Sequence, residues 1–106
     1  MATQINSVEE YFESLPQRFA PAGAAGVDAV FQWELDNQVY HAIIKDQTLT
    51  VAQGPHPNPT TKIRITAENF IKLNNGKLNH VLAMATGKLK VEGNRMIAGR
   101  MRTMFP

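Results

Sequence analysis

The feature that most constrains this chain is a change of hydrophobic period at Val27. From there Val27, Ala29, Phe31, Trp33 and Leu35 alternate with Asp28, Val30, Gln32 and Glu34, the pattern of a strand with one buried face. Upstream the period is helical. Val8, Phe12, Leu15 and Phe19 follow the capping box Ser7-Val8-Glu9-Glu10, so a first helix starts at Ser7. Pro16 removes an amide donor and crowds the turn before it, which predicts a kink or break near Leu15 and a short second turn through Phe19. Residues 20–26 (APAGAAG) are small and turn-rich, hence a loop.

The strand period then recurs. After an Asp36-Asn37 turn, Tyr40, Ala42 and Ile44 share one face and His41 and Lys45 the other. Asp46-Gln47 turns the chain again into residues 48–51, with Leu49 and Val51 inward, completing an antiparallel meander. Residues 53–59 hold three of the six prolines and read as an extended connection. Residues 60–66 form a fourth strand, with Thr61, Ile63 and Ile65 inward and Lys62 and Arg64 outward. A helix over 67–74 carries Phe70, Ile71 and Leu73 and stops at Asn75-Gly76; a second covers 78–85 and stops at Gly87. Residues 88–92 form a fifth strand with Leu89 and Val91 inward. In a last helix after Gly93-Asn94, Met96, Ile97, Met101, Met104 and Phe105 form one stripe, and Arg95, Arg100 and Arg102 take the other side.

Charge orders the strands. Residues 1–53 carry 2 basic and 7 acidic side chains, and residues 54–106 carry 9 basic and 2 acidic. The outward face of strand one is acidic (Asp28, Glu34), and those of strands four (Lys62, Arg64) and five (Lys88, Lys90) are basic. Unlike charges facing each other across a ladder are favourable, so strand four belongs beside strand one. This predicts an α+β fold: a five-stranded mixed sheet in the order 3-2-1-4-5, with its helices packed on one face. At 106 residues the chain is one domain's worth, able to bury about two-thirds of its unfolded surface.

The chemical inventory excludes more than it suggests. Zero cysteine rules out disulfides and thiolate sites, and no apolar run approaches the ~18 residues of a spanning helix. Residues 1–6 lack the features of a secretory signal, so a cytoplasmic location is expected. Ser7 and Ser14 have no histidine nearby in sequence; His41, His56 and His80 read as scattered surface residues without metal-ligand spacing. Gly76-Lys77 and Gly87-Lys88 lack the upstream glycine of a phosphate loop. The basic strands carry no interleaved aromatics, which argues against specific nucleic-acid binding. Neither catalysis, a cofactor nor a metal is expected. Two readings of the second half remain: basic groups of the final helix making transient contact with an anionic membrane, and four of the five methionines lining an apolar pocket, a plain core being the simpler account of the latter.

One ordered string of pieces carries a resemblance. Ile63-x-Ile65-Thr66, Phe70, Leu73, Gly76-Lys77-Leu78-Asn79, Ala83 and Gly87-Lys88-Leu89-Lys90-Val91-Glu92-Gly93-Asn94 resembles the second half of the sterol carrier protein type 2 domain, and the preceding helix and meander fit the first. The resemblance spans roughly Ser7 to Phe105. It implies that residues 1–106 form one lipid-binding domain, without enzymatic activity, whose sheet and helices enclose a hydrophobic cavity for a fatty acid, acyl-CoA, sterol or phospholipid. Carried over by position, Phe31, Trp33, Ile65, Phe70, Leu73, Leu82, Met84, Met101, Met104 and Phe105 would line that cavity. Three positions depart from the family pattern: His80 replaces a proline, Gln47 a glycine, and Ala85 is small where some members are aromatic. The chain closes on Met104-Phe105-Pro106, without a peroxisomal targeting tripeptide. The alternative function is an accessory protein-interaction module, such as a helper in quinone-lipid biosynthesis, whose methionine-rich face a partner covers.

Overall fold

A computed structural model describes residues 4–105. Its elements run α1 (Val8–Arg18), a 3-10 turn (Pro21–Ala24), β1 (Ala29–Leu35), β2 (Gln38–Lys45), β3 (Thr48–Gln53), β4 (Thr61–Arg64), α2 (Ala67–Asn74), α3 (His80–Ala85), β5 (Lys90–Gly93), α4 (Arg95–Gly99) and α5 (Met101–Met104). The strands form one sheet in the order β3-β2-β1-β4-β5, as the charge pattern predicts. β1 is antiparallel to β2 and parallel to β4, and the other pairs are antiparallel. Trp33 thereby lies between Tyr40 and Ile63 in the ladder, and Phe31 between Ala42 and Thr61.

The charge argument holds through one pair. Arg64 stands opposite Glu34, with Nε 2.9 Å from Oε1, and its guanidinium also reaches Glu92 at 3.3 Å. Lys62 faces Gln32 and Glu92 instead, and Asp28 has no place in the ladder because β1 begins only at Ala29. The Val27 amide is already taken by the Ala24 carbonyl at 3.0 Å, which delays the strand. At the β2–β3 turn both Asp46 (φ 52) and Gln47 (φ 59) are left-handed, the geometry that matches the twist of a two-residue hairpin. Gln47 holds it without being glycine, and its Nε2 donates to the Pro21 carbonyl at 3.0 Å.

All helices cover the sheet face that carries Phe31, Trp33, Tyr40, Ile44 and Ile63. Phe12 of α1 stacks on Tyr40, ring centres 4.1 Å apart, and meets Trp33 edge-on at 5.1 Å. Phe70 of α2 stacks on Phe12 and meets Tyr11 edge-on at 4.7 Å. Leu15, Phe31, Trp33, Leu35, Ile44 and Met104 are sealed from solvent in this core. The opposite face is partly covered too. Gln32 is buried because its Oε1 accepts the His56 amide at 2.9 Å and its Nε2 donates to Glu34, so the proline-rich connection folds over the sheet.

Six expectations are corrected. α1 runs unbroken to Arg18: the Phe19 amide donates to the Leu15 carbonyl at 2.9 Å and closes the turn beyond Pro16. Helix α3 starts at His80 because the Asn79 side chain accepts the Val81 and Leu82 amides, and β5 starts at Lys90 because the Lys88 and Leu89 amides both go to the Ala83 carbonyl. The last helix is two helices joined at Arg100, whose guanidinium reaches back to the Gly23 carbonyl at 3.1 Å. Met96 therefore leaves the expected stripe and stands 85% exposed. Finally, His41 and His56 are adjacent on the outer sheet face, ring centres 5.4 Å apart, although no cluster of three metal-ligating side chains occurs among the described residues.

Candidate functional site

Between the sheet and helices α2–α5 lies a cleft of about 620 Å³, within the size range of small-molecule sites. Its floor is built by buried side chains: Tyr11 from α1, Trp33 and Ile63 from the sheet, Phe70 from α2, and Leu89. Leu73, Leu78, Val91, Ala98, Met101 and Phe105 form apolar walls, and Met84, 44% exposed, stands at the open edge. The rim is polar and basic, with Asn74, Asn79, His80, Arg95 and Arg102. One guanidinium nitrogen of Arg102 lies 2.9 Å from His80 Nε2 and 3.1 Å from Nδ1, linking α5 to the start of α3.

Local sequence explains each wall. Thr66, Asn79 and Asn94 cap α2, α3 and α4 with side-chain oxygens that accept amides of the first turn, so three short helices begin at defined points. Gly23 seats α5: the Ala20 amide donates to Met104 at 2.7 Å, and a side chain at Gly23 would collide with the Thr103 carbonyl. Phe19 packs on Phe105, ring centres 5.8 Å apart, and holds the final wall in place.

The floor contains one polar group. Burial pushes the pKa of Tyr11 up to about 12 against the pull of the Arg18 guanidinium. Tyr11 is therefore neutral at ordinary pH and lines an otherwise apolar floor. Arrangements for general acid–base catalysis need groups within hydrogen-bond reach of one another and of a reacting atom. Here one isolated phenol at the floor and cations at the rim offer binding contacts of two kinds, a hydrogen bond within and a positive field at the mouth.

Of the ten side chains expected to line a cavity, Trp33, Phe70, Leu73, Met84, Met101 and Phe105 come together around this cleft. Phe31, Ile65 and Met104 are packed into the core, and Leu82 stands 63% exposed outside it. Sequence reasoning passed over Tyr11, although it lies three residues after Val8 on the buried stripe of α1. It did not place Arg95 and Arg102 at a cleft rim, reading the basic groups of the final helix as a membrane contact instead.

A sheet with one face roofed by short helices, and an apolar cleft opening between them, defines a domain built to receive a hydrophobic ligand. The chain belongs to the SCP-2 sterol transfer family, which it matches over residues 9–106. It is 28% identical over 103 residues to hydroxysteroid dehydrogenase-like protein 2 of Rattus norvegicus, covering 93% of this chain and 20% of that protein. Among solved structures, the stereoselective inverting sec-alkylsulfatase Pisa1 from Pseudomonas sp. superposes with a TM-score of 0.79 at 18% identity, over 95% of this chain and 17% of the enzyme. Palmitated SCP2L2 from Aedes aegypti superposes with a TM-score of 0.68 at 24% identity, over 91% of both chains. The chain thus spans about a fifth of the length of the first two and nearly all of the third.

Proposed function

We propose that this protein binds and carries a lipid, without chemical turnover, in the cleft between its sheet and helices α2–α5. The observation that carries the reading is the cleft itself, with an aromatic and aliphatic floor beneath a basic rim. Family membership supports it, and so does the palmitate named for the mosquito structure. Trp33, Phe70, Leu73, Met84, Met101 and Phe105 are the proposed contacts among those expected, joined by Tyr11, Ile63, Leu78, Leu89 and Val91. A fatty acid, acyl-CoA, sterol or phospholipid meets the chemistry of such a surface. An apolar wall separates ligands differing by one methylene by only about 1–3 kcal/mol.

Native mass spectrometry of protein purified without detergent tests the reading directly, since a copurifying lipid names the cargo class. Titration with a fluorescent fatty acid is expected to saturate. Met101→Gln places an amide in the lining at a cost of roughly 1–3 kcal/mol, and is expected to weaken the probe by more than its effect on stability. No saturable uptake of any fatty acid, acyl-CoA or sterol probe would defeat the carrier reading. A second reading is favoured by one observation: Val81, Leu82 and Met96 stand exposed outside the cleft, as on an accessory module whose apolar face another surface covers.

A further inference from the structure

The exposed apolar side chains are concentrated in one region. Val81 and Leu82 are each 63% exposed, Met84 44% and Met96 85%, and these are the large exposed apolar side chains among the described residues. All four stand on α3 and α4, the helices that flank the cleft mouth through His80 and Met84 on one side and Arg95, Ala98 and Gly99 on the other. Exposed apolar side chains gathered around one opening mark an interaction surface.

Charge in the same segment is one-sided. From Gly76 to the end, six lysines and arginines accompany one acid, Glu92, and that acid is engaged by Arg64 at 3.3 Å. Arg100 is spent on the Gly23 and Ala25 carbonyls. Lys77 and Lys88 bracket α3, Arg95 opens α4, and Arg102 stands beside His80 at the rim. These four are exposed and form no ion pair among the described residues.

We infer that the α3–α4 face docks on an anionic lipid bilayer, with Val81, Leu82, Met84 and Met96 entering the headgroup boundary and Lys77, Lys88, Arg95 and Arg102 at the level of the phosphates. The inference rests on the carrier reading and deepens it: the cleft mouth then faces the bilayer, and cargo passes between the two without crossing bulk water. A bilayer suits this face better than a folded partner. The apolar side chains protrude on both sides of an opening instead of forming a flat patch, and a fluid surface fills such relief. The unpaired cations match a continuous negative field. Insertion is shallow, because α3 and α4 are one to two turns long and no helix is long and apolar enough to cross a membrane among the described residues.

Cosedimentation of the full chain with vesicles of phosphatidylcholine, alone or with one-third phosphatidylserine, tests it. Binding is expected on the anionic vesicles only, and to weaken with salt. Removing one cation from such a contact weakens binding about fivefold, so Lys77→Glu with Lys88→Glu, neither of which lines the cleft, is expected to lose more than about twentyfold. Leu82→Glu with Met96→Glu is expected to lose binding as well. Lys62→Glu makes the same kind of charge reversal on the other sheet face and is expected to bind within about twofold of the parent. Equal binding to both vesicle types, no binding to either, or parent-like binding by the first two variants overturns the docking face. Uptake of a fluorescent fatty acid in vesicle-free solution separates the two readings: parent uptake without vesicle binding defeats docking alone, whereas vesicle binding without uptake defeats the carrier reading.

Discussion

Gly23 lies outside the cleft, yet replacing it with alanine tests how the cleft is closed. A Cβ at this position falls on the carbonyl oxygen and carbon of Thr103 and 3.3 Å from the Met104 nitrogen. All three are backbone atoms, so no side-chain rotation relieves the clash, and either the 3-10 turn or α5 must retreat. Retreat breaks the bond from the Ala20 amide to the Met104 carbonyl and the reach of Arg100 to the Gly23 carbonyl. It also exposes Met104, which is fully buried. Exposing a methionine costs about 1.5–3 kcal/mol and a lost backbone bond about 1 kcal/mol more, giving roughly 3 kcal/mol. At about 4–8 °C per kcal/mol for a domain near this size, Tm is expected to fall by roughly 12–24 °C.

Two assays read the outcome. Thermal melting by circular dichroism gives the stability, and fluorescent fatty-acid binding below the new Tm reports the wall formed by Met101 and Phe105. Affinity is expected to fall along with stability, because the same helix supplies both. Gly99→Ala is the matched control: it lines the cleft, but no atom lies within 4 Å of the added methyl group. That change is expected to leave stability level or raise it by up to about 1 kcal/mol through helix propensity. If Gly23→Ala melted within a few degrees of the parent and bound the probe equally well, the seating of α5 on the 3-10 turn would not be what closes the cleft.

Gly93→Ala is expected to cost about 3 kcal/mol in urea denaturation, because Gly93 has φ 86 and an added methyl group meets the Thr60 carbonyl. A double-mutant cycle on Glu34 and Arg64, which are 25% and 46% exposed at the side chain, is expected to give a coupling of about 0.5 kcal/mol that shrinks with salt. The equivalent cycle on Glu34 and Lys62 is expected to give none. Tyr11 makes stability fall at high pH: its folded pKa of about 12 lies above the unfolded value near 10, so the unfolded chain releases its proton first. Between those values Tyr11 contributes a loss of about 1.4 kcal/mol per pH unit, and the slope difference between parent and Tyr11→Phe in urea melts measures it.

Sheet order was readable because strands are short, alternating and charged, and one pair, Glu34 with Arg64, suffices to choose a neighbour. Strand alternation also placed Trp33 and Ile63 correctly as inward residues. It could not divide inward residues between core and cleft, since Phe31 and Trp33 share one face and one period, yet only Trp33 contributes to the cleft floor. That division depends on where the helices sit. The helix seats rest on contacts across the chain: Gly23 against Thr103, Thr61 Oγ1 donating to the Asn94 carbonyl at 2.8 Å, and Asn75 paired with the Ile5 backbone. The break at Arg100 escaped periodicity for the same reason, because it is fixed by carbonyls some 75 residues upstream.

The cleft's two halves are made of different material, and the difference bears on how a ligand enters. Its floor is backed by interlocked rings, with Phe12 stacked on Tyr40 and Phe70, Tyr11 edge-on to both Phe12 and Phe70, and Trp33 held in the centre of the sheet. Such packing leaves little room for rearrangement. The opposite wall is made of two helices of five and four residues joined at one position, carrying methionine and small side chains. Helices this short have little stability apart from their tertiary contacts, and methionine refills irregular space readily. Opening is therefore expected on the α4–α5 side while the sheet and α1 stay fixed. Hydrogen exchange follows this separation: the amides of residues 96–105 are expected to exchange far faster than those of β1 and β2, and to slow when a lipid is bound. Uniform protection of both walls, unchanged by ligand, would mean that entry needs no movement and that the open rim alone admits the cargo.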